Sequence, residues 1–225
     1  MFRNKLNVLA PLALLVLSSC SSTKVINSWK AEDAADVRSK KILVIARTDN
    51  ADARKAFEDA MYREMRAEGI DGAVSYEFIE DLQANKQLSE SEVENAKQMI
   101  RDKGFQAVAI TVLKDKKQTV QINKEGGYYA GATYSSSIDP YLYNFYTYYS
   151  HPNSLPSARY SGNYVEPTNN VERSITYVLE TLIFDLEKPE KEQLVGQVTA
   201  SLEDPDSAID VAGNYARTIA RTLKK

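Results

Sequence analysis

Five consecutive apolar residues, Ile42 to Ala46, place the strongest limit on how this chain can fold. Most of them carry bulky aliphatic side chains, and none alternates with a polar residue. A strand with one face in water carries a polar residue at every second position, so an unbroken apolar run indicates a strand that is covered on both faces. The sequence therefore predicts a sheet with a fully buried interior strand.

Helical patterns occur at three places after this strand. Between Ala51 and Glu68, apolar residues recur on one side, and Gly69 follows as a C-terminal cap. The segment Ser89 to Glu92 has the spacing of a capping box, which predicts the start of a second helix. A third helix is predicted to begin near Ser207, because the apolar residues after it are spaced for one buried face.

Further strands are predicted at Val25–Trp29, Ala73–Phe78, Phe105–Leu113 with a continuation through Val120 and Ile122, Ser174–Leu186 and Leu194–Leu202. The last two are joined by a turn at Lys188 and Pro189, which predicts a hairpin. Together these elements predict an α/β (α+β) two-layer sandwich. In it, about three helices pack on a mixed sheet that ends in a C-terminal β-hairpin followed by a helix.

Composition limits the chemistry that is available to the chain. Of its 225 residues, 43% are hydrophobic and 26% are charged, as in proteins that fold. The single cysteine, Cys20, excludes an intramolecular disulfide, and the single histidine, His151, leaves a zinc site short of its usual ligands. The formal net charge of −3 argues against nucleic acid as a partner. We predict no metal and no cofactor.

Residues 1 to 19 have the features of an export signal. Arg3 and Lys5 precede an apolar run, Leu6 to Leu17, that is shorter than the roughly 20 residues of a membrane-spanning helix. The residues Leu17-Ser18-Ser19-Cys20 resemble the bacterial lipobox, in which the cysteine receives the lipid. We therefore expect residues 1–19 to be a signal peptide and residues 20–225 to be a single lipoprotein domain with an acylated (palmitate-bearing) Cys20.

The lipobox resemblance also implies a location in the cell envelope. Several acyl chains on one cysteine hold a protein firmly in a bilayer, so the expected partner at this end is the membrane itself. Ser21 to Lys24 follow the cysteine, and none of them is the acidic residue that marks retention or surface export in such lipoproteins. The resemblance thus implies lipid anchoring in the outer membrane, with the domain facing the periplasm.

Three segments resemble a wider group of proteins: the strand Ile42–Ala46, the helix around Arg54 to Glu58 that ends at Gly69, and the hairpin Thr181–Leu186 to Leu194–Gly196. They are similar to uncharacterised bacterial envelope lipoproteins that carry a domain of unknown function. That domain resembles the small α/β domain of the Tol-system protein TolB and the curli-secretion lipoprotein. The resemblance implies a fold and a location in the cell envelope, and it assigns no catalytic residues.

Most of the 14 tyrosines lie in an insertion at about residues 124–170. Long loops of this kind are functional or disordered, and tyrosine is frequent in binding surfaces because its ring is large and rigid. We predict that this insertion contacts another envelope protein or a glycan, through Tyr141, Tyr143, Phe145, Tyr146, Tyr148 and Tyr149. The alternatives are a solvated insertion, tyrosines packed on the protein's own sheet, or a strand of a membrane-inserting hairpin from Tyr141 to Tyr149.

The sequence contains no motif of a phosphate-binding loop or a nucleophile elbow, and His151 has no acid or nucleophile partner in sequence. We therefore predict no catalytic residues and no enzymatic activity. The predicted function is that of a lipid-anchored envelope lipoprotein with a non-enzymatic periplasmic binding or assembly domain. The alternative is a subunit of an oligomeric outer-membrane secretion or pore assembly.

Overall fold

The structure is a computed structural model that describes residues 23–80, 82, 86–122, 128–135, 144–150, 159–165, 171–205 and 207–224. Six strands form one mixed sheet in the order β1-β8-β7-β4-β2-β3. They are β1 (Thr23–Lys30), β2 (Ile42–Arg47), β3 (Gly72–Val74), β4 (Ala107–Ile122), β7 (Val171–Asp185) and β8 (Leu194–Glu203). A second, two-stranded sheet consists of β5 (Tyr128–Ser135) and β6 (Arg159–Val165).

The helices are α1 (Ala51–Ala67), α2 (Glu90–Asp102), α3 (Phe145–Ser150) and α4 (Ala208–Lys224). Short 3₁₀ turns occupy Ala34–Ser39, Ser75–Glu77 and Glu190–Glu192. The predicted helix ends are confirmed. Gly69 follows α1 with φ at 75°, and the side chains and backbone of Ser89 and Glu92 form the capping box of α2.

Strand β2 lies parallel to β3 and β4, whereas β4, β7, β8 and β1 pair in antiparallel fashion. The close parallel contact of β3 with β2 requires a glycine, because a Cβ atom at Gly72 would lie 2.3 Å from the carbonyl oxygen of Ile42. The predicted mixed sheet, with a C-terminal hairpin (β7 and β8) and a helix after it, is confirmed.

Side chains of β2 alternate between two hydrophobic clusters, one on each face of the sheet. Ile42 and Val44 face α1 and α4, on what we call the first face. Leu43 and Ile45 face α2 and α3, on the second face. All six residues of β2 are buried, which confirms the prediction of a strand covered on both faces.

The sandwich therefore has three layers, where two were predicted. Helix α1 connects β2 to β3 at the sheet edge, and α2 then connects β3 back across β2 to β4. Because these connections run in opposite directions across the sheet, right-handed crossovers place the two helices on opposite faces. The aromatic rings of Phe57 on α1 and Tyr215 on α4 meet edge-on at 5.5 Å on the first face.

The strand predicted at Ala73–Phe78 is shorter in the structure, where β3 ends at Val74 and a 3₁₀ turn follows. Its continuation is prevented by Glu58 of α1, whose carboxylate accepts hydrogen bonds from the hydroxyl of Ser75 (2.7 Å) and the backbone amide of Tyr76 (3.0 Å). These contacts turn the chain under the helix.

Strands β4 and β7 are longer than the rest of the sheet and enclose the tyrosine-rich insertion between them. One row of paired residues, Thr23, Leu202, Tyr177 and Lys116, crosses β1, β8, β7 and β4. Beyond the next pair, Thr176 and Glu203, β4 and β7 continue as a two-stranded ribbon that ends at Ile122 and Val171. Within the described residues, no helix is both long and apolar enough to cross a membrane.

Candidate functional site

A group of buried polar side chains interrupts the apolar interior on the second face. We call it the covered patch, and it consists of Lys114, Glu180, Gln197, Thr199 and Ser201, from strands β4, β7 and β8. Its neighbours along β7 on this face, Val178 and Leu182, are apolar core residues. Helix α3 packs on this face, and β5 contacts both β1 and β4. Helix α3, the described helix of the insertion, therefore lies over the sheet.

The register of the strands places these polar residues side by side. Glu180 pairs with Val112 on one side and with Thr199 on the other. The β4–β7 register shifts between Leu113 and Asp115, so Lys114 lies in a bulge, and its ammonium group lies 3.5 Å from the carboxylate of Glu180. The amide nitrogen of Gln197 donates a hydrogen bond to the hydroxyl of Thr199 at 2.8 Å.

Glu180 is the central residue of the covered patch and is fully buried. Its Oε1 accepts a hydrogen bond from the hydroxyl of Tyr148 on α3 at 2.5 Å and also faces Lys114. Its Oε2 is buried and has no hydrogen-bond partner among the described residues. A buried carboxylate oxygen without a donor is unfavourable, so the geometry leaves one acceptor position for a donor from outside this group.

Burial also changes the ionisation of the patch. Desolvation lowers the pKa of Lys114 below its ordinary value, and the attraction of Glu180 opposes that shift. The Lys114 ammonium also lies 5.5 Å from the centre of the Tyr148 ring. Charge, hydroxyl and aromatic groups thus meet at one place beneath α3.

Helix α3 is fixed to the sheet by aromatic side chains and by one arginine. Phe145 and Tyr148 are fully buried and Tyr149 is 2% exposed, and the rings of Phe145 and Tyr148 lie 5.7 and 6.1 Å from that of Phe184. The guanidinium of Arg47, at the end of β2, donates hydrogen bonds to the backbone oxygens of Tyr149 and Lys86. Burial lowers the pKa of Arg47 and raises that of Tyr149 to about 12.

The predicted contact residues have different positions in this arrangement. Tyr141 and Tyr143 lie outside the described residues, as does the predicted lipidation site Cys20. Phe145, Tyr148 and Tyr149 pack in the core, as in the alternative in which the tyrosines pack on the sheet. Tyr146 is only partly buried, and the ammonium of Lys97 lies 4.7 Å from its ring centre. Tyr146 is therefore the described member that a partner could reach without opening the core.

The alternative of a strand from Tyr141 to Tyr149 is wrong for its described part, because residues Phe145–Ser150 form α3. The insertion also contains more regular structure than the sequence pattern indicated, since β5 and β6 lie within it. Neither β5 nor β6 has the long, regular apolar spacing by which a strand is recognised from sequence.

A second buried polar group has all its contacts within the protein. Glu58 accepts hydrogen bonds at Oε1 from the amide of Ala46 (2.9 Å), Nε of Arg54 (3.1 Å) and the hydroxyl of Ser75 (2.7 Å). Its Oε2 accepts one from the amide of Tyr76 at 3.0 Å. This group joins α1 to β2 and to the 3₁₀ turn that follows β3, and its function is structural.

The first face carries a cleft of about 560 Å³ between the N-terminal ends of α1 and α4. Its walls include Asp49, Asn50, Lys116, Tyr177 and Ser207. Asn50 caps α1 by accepting a hydrogen bond from the amide of Ala53 at 2.9 Å. A smaller cavity of about 200 Å³ lies at the opposite end of this face and is lined mainly by apolar residues such as Val37, Met61 and Met65.

The groups of the covered patch can form several hydrogen bonds with one polar ligand. The described part of the chain contains no group of three or more histidine, cysteine, aspartate or glutamate side chains that could hold a metal ion. The covered patch offers a carboxylate, an ammonium, hydroxyls and an amide, which are the groups that recognise a polar or hydroxylated ligand through hydrogen bonds.

Sequence reasoning did not identify Glu180, Lys114 or Arg47. A signal for Glu180 is present, because it stands between the apolar residues Val178 and Leu182 on one face of β7. Lys114 and Arg47 each follow directly after a buried apolar run. A charged residue that follows such a run usually lies at the exposed end of the strand. The pattern therefore did not indicate that these two side chains are buried.

No protein-family model matches the chain, and comparison with characterised protein sequences gave no match. Among solved structures, the chain is similar to the PelC dodecamer from Paraburkholderia phytofirmans, with a TM-score of 0.43 and 12% identity over 90% of this chain and 97% of that chain. A point-mutant form of the same PelC dodecamer, from the same organism, gives a TM-score of 0.41 and 10% identity over the same shares. TM-scores of this size do not establish a shared fold, and no function follows from them.

Proposed function

We propose that this protein is a lipid-anchored lipoprotein of the outer membrane that faces the periplasm and binds another envelope component without catalysing a reaction. The lipid is attached at Cys20, and the binding site is formed by the tyrosine-rich insertion together with the covered patch beneath it. The partner is an envelope protein or a glycan.

One observation carries the binding role: the unpaired Oε2 of Glu180, buried among polar side chains under the insertion. A patch that served only to stabilise the fold would have its acceptors satisfied, as those of Glu58 are. Because Glu180 lies buried under α3, a donor group from a partner, such as a hydroxyl or an amide, would complete its hydrogen bonding only when α3 moves away from the sheet.

Site-specific photo-crosslinking in intact cells tests this proposal, with the photoreactive residue at position 146. Tyr146 is suitable because its ring is only partly buried, whereas a probe at Tyr148 would disrupt the core. The matched control is a probe in place of Tyr62, a partly buried tyrosine of α1 on the opposite face of the sheet. We expect a discrete adduct from position 146 and none from position 62. The same adduct from both positions, or none from position 146, would contradict the proposal.

The contribution of the covered patch is tested by combining the probe at position 146 with Glu180→Gln. This change preserves the shape of the side chain but replaces one acceptor oxygen with a donor. We expect a loss of most of the adduct, with the folded structure confirmed by circular dichroism. An undiminished adduct would mean that the partner binds the insertion alone.

A second candidate function, a subunit of an oligomeric secretion or pore assembly, is favoured by the edge of the sheet. In the described sheet, β1 is an edge strand that pairs only with β8, and a strand of a second copy could pair along its other edge. Light scattering of the detergent-extracted protein separates the two candidates, because only the assembly subunit requires a mass several times that of one chain.

A further inference from the structure

We infer that one end of the sheet rests on the lipid surface, and that Val120 and Ile209 are the side chains that contact it. This inference rests on the proposed acylation of Cys20. We call this the anchor end. It is the end at which β1 begins, marked by the row Thr23, Leu202, Tyr177 and Lys116.

The chain between the lipid and the sheet is short. Only Ser21 and Ser22 separate Cys20 from Thr23, the first residue of β1. Three residue steps span at most about 11 Å when fully extended. A lipid on Cys20 therefore holds the anchor end within that distance of the bilayer surface, and the opposite end of the sheet points away from it.

The ribbon of β4 and β7 extends beyond the residue at which β1 begins. Val120 lies four residues beyond Lys116 along β4, which corresponds to about 13 Å at roughly 3.3 Å per residue. This extension is at least as long as the tether, so the ribbon reaches the bilayer when the domain is anchored. Val120 is 40% exposed although it is apolar.

Helix α4 provides the second contact. It begins at the anchor end, because Leu202, Tyr177 and Lys116 of the row line the same cleft as Ala208, the first residue of α4. Ile209 follows directly and is 70% exposed, the most exposed of the three large apolar side chains found at the described surface. An exposed isoleucine beside a lipid anchor gains free energy by entering the interface, because its apolar area leaves water.

Acidic and basic side chains are mixed at this end, since Lys24, Lys116, Asp49 and Glu203 are all exposed there. The contact therefore does not depend on anionic lipids. We expect it to persist when salt concentration is raised, in contrast to a contact made by a basic patch.

Fluorescence quenching by lipid tests the inference on the full-length protein, purified with its lipid and reconstituted in phosphatidylethanolamine–phosphatidylglycerol vesicles that contain nitroxide-labelled lipid. Single cysteines carry the fluorophore at Ile209→Cys and Val120→Cys. The matched control is Lys191→Cys, an exposed position in the turn between β7 and β8 at the opposite end of the sheet. Acylation removes the thiol of Cys20, so each variant has one reactive cysteine.

We expect quenching at positions 209 and 120 that is severalfold stronger than at position 191, and unchanged by added salt. Equal quenching at the three positions, or the strongest quenching at 191, overturns the inference. Mass spectrometry of the N-terminal peptide distinguishes this failure from that of the proposed function. An acylated Cys20 with the wrong quenching pattern overturns the orientation alone, whereas an unmodified Cys20 overturns both. The positions are exposed in the folded protein, and an unchanged circular dichroism spectrum confirms that each variant folds.

Discussion

Glu58 is a charged residue that lies buried in the interior of the protein. Its carboxylate is fully buried and accepts hydrogen bonds from two backbone amides, from Arg54 and from Ser75. Arg54 is itself only 6% exposed, so it depends on this partner. The interaction is therefore valuable mainly because its loss would leave a charge unpaired in the interior.

We expect Glu58→Ala to lower the free energy of unfolding by about 3–5 kcal/mol, the usual cost of removing one partner of a buried ion pair. Urea denaturation measures this change. The matched control is Glu64→Ala, a partly exposed glutamate in the same helix, whose effect should stay within about 0.5 kcal/mol. Similar losses for the two variants would contradict the role assigned to Glu58.

Glu92 illustrates an ionisable residue whose contribution depends on pH. Hydrogen bonds from Lys86, and from the backbone and hydroxyl of Ser89, lower the pKa of Glu92 from 4.5 to about 2. Because the folded pKa lies below the unfolded one, its contribution to stability is fully present above pH 4.5 and is lost as the pH falls towards 2.

We therefore expect the difference in unfolding free energy between the wild type and Glu92→Gln to be largest above pH 4.5 and to disappear near pH 2. Denaturation curves recorded across this range measure it, with Glu90→Gln in the same helical turn as the control. A difference that does not change with pH would mean that Glu92 contributes through its shape and not through its charge.

Among the elements, α3 is the one whose position depends entirely on tertiary contacts. It has six residues, which is too short for a helix to be stable by itself. Buried rings and the hydrogen bond from Tyr148 to Glu180 hold it on the second face. The tyrosine-rich insertion is therefore anchored to the sheet at this point.

We expect Tyr148→Phe to lower the free energy of unfolding by about 1–3 kcal/mol, because Glu180 would lose its hydroxyl donor while it stays buried. Amide hydrogen exchange should become faster in α3 and remain unchanged in β2. The control is Tyr146→Phe, which removes the hydroxyl of a partly buried tyrosine on the same helix and should have little effect on stability. Equal effects of the two substitutions would contradict the assigned contact.

Elements with strong local signals were predictable from the sequence, and elements fixed by distant contacts were not. The ends of α1 and α2 follow from Gly69 and from the capping box at Ser89, which act within one helical turn. Helix α3 has only six residues, which is too short for its apolar spacing to indicate a helix. Strand β3 ends early because Glu58, distant in sequence, binds Ser75. The second helical layer follows from the strand order, which the sequence pattern does not contain.

The candidate site was less predictable than the fold. The aromatic residues of the insertion were predicted to contact a partner because tyrosine is so frequent there, yet Phe145, Tyr148 and Tyr149 are core residues. Glu180 and Lys114 meet only because β4 has a bulge and pairs with β7, whose residues lie far away in sequence. Register and bulges are tertiary properties, so a charge in an apolar run cannot be recognised as a site residue from the run alone.

The whole molecule, in the proposed orientation, is a three-layer domain held close to a bilayer, with α3 of the insertion packed on one face of its sheet. The cleft between α1 and α4 and the ribbon of β4 and β7 both lie at the end where the chain enters from Cys20. This arrangement leaves the turn between β7 and β8 at the far end, facing away from the membrane.

The attachment of lipid at Cys20 is the claim on which location and orientation both depend. The most direct test is metabolic labelling of cells with an alkyne fatty acid, comparing the wild type with Cys20→Ser. We predict that the wild-type protein is labelled and fractionates with the outer membrane, and that the variant loses the label. Equal labelling of both proteins, or a wild-type protein that is unlabelled and retains residues 1–19, would contradict the proposed anchoring.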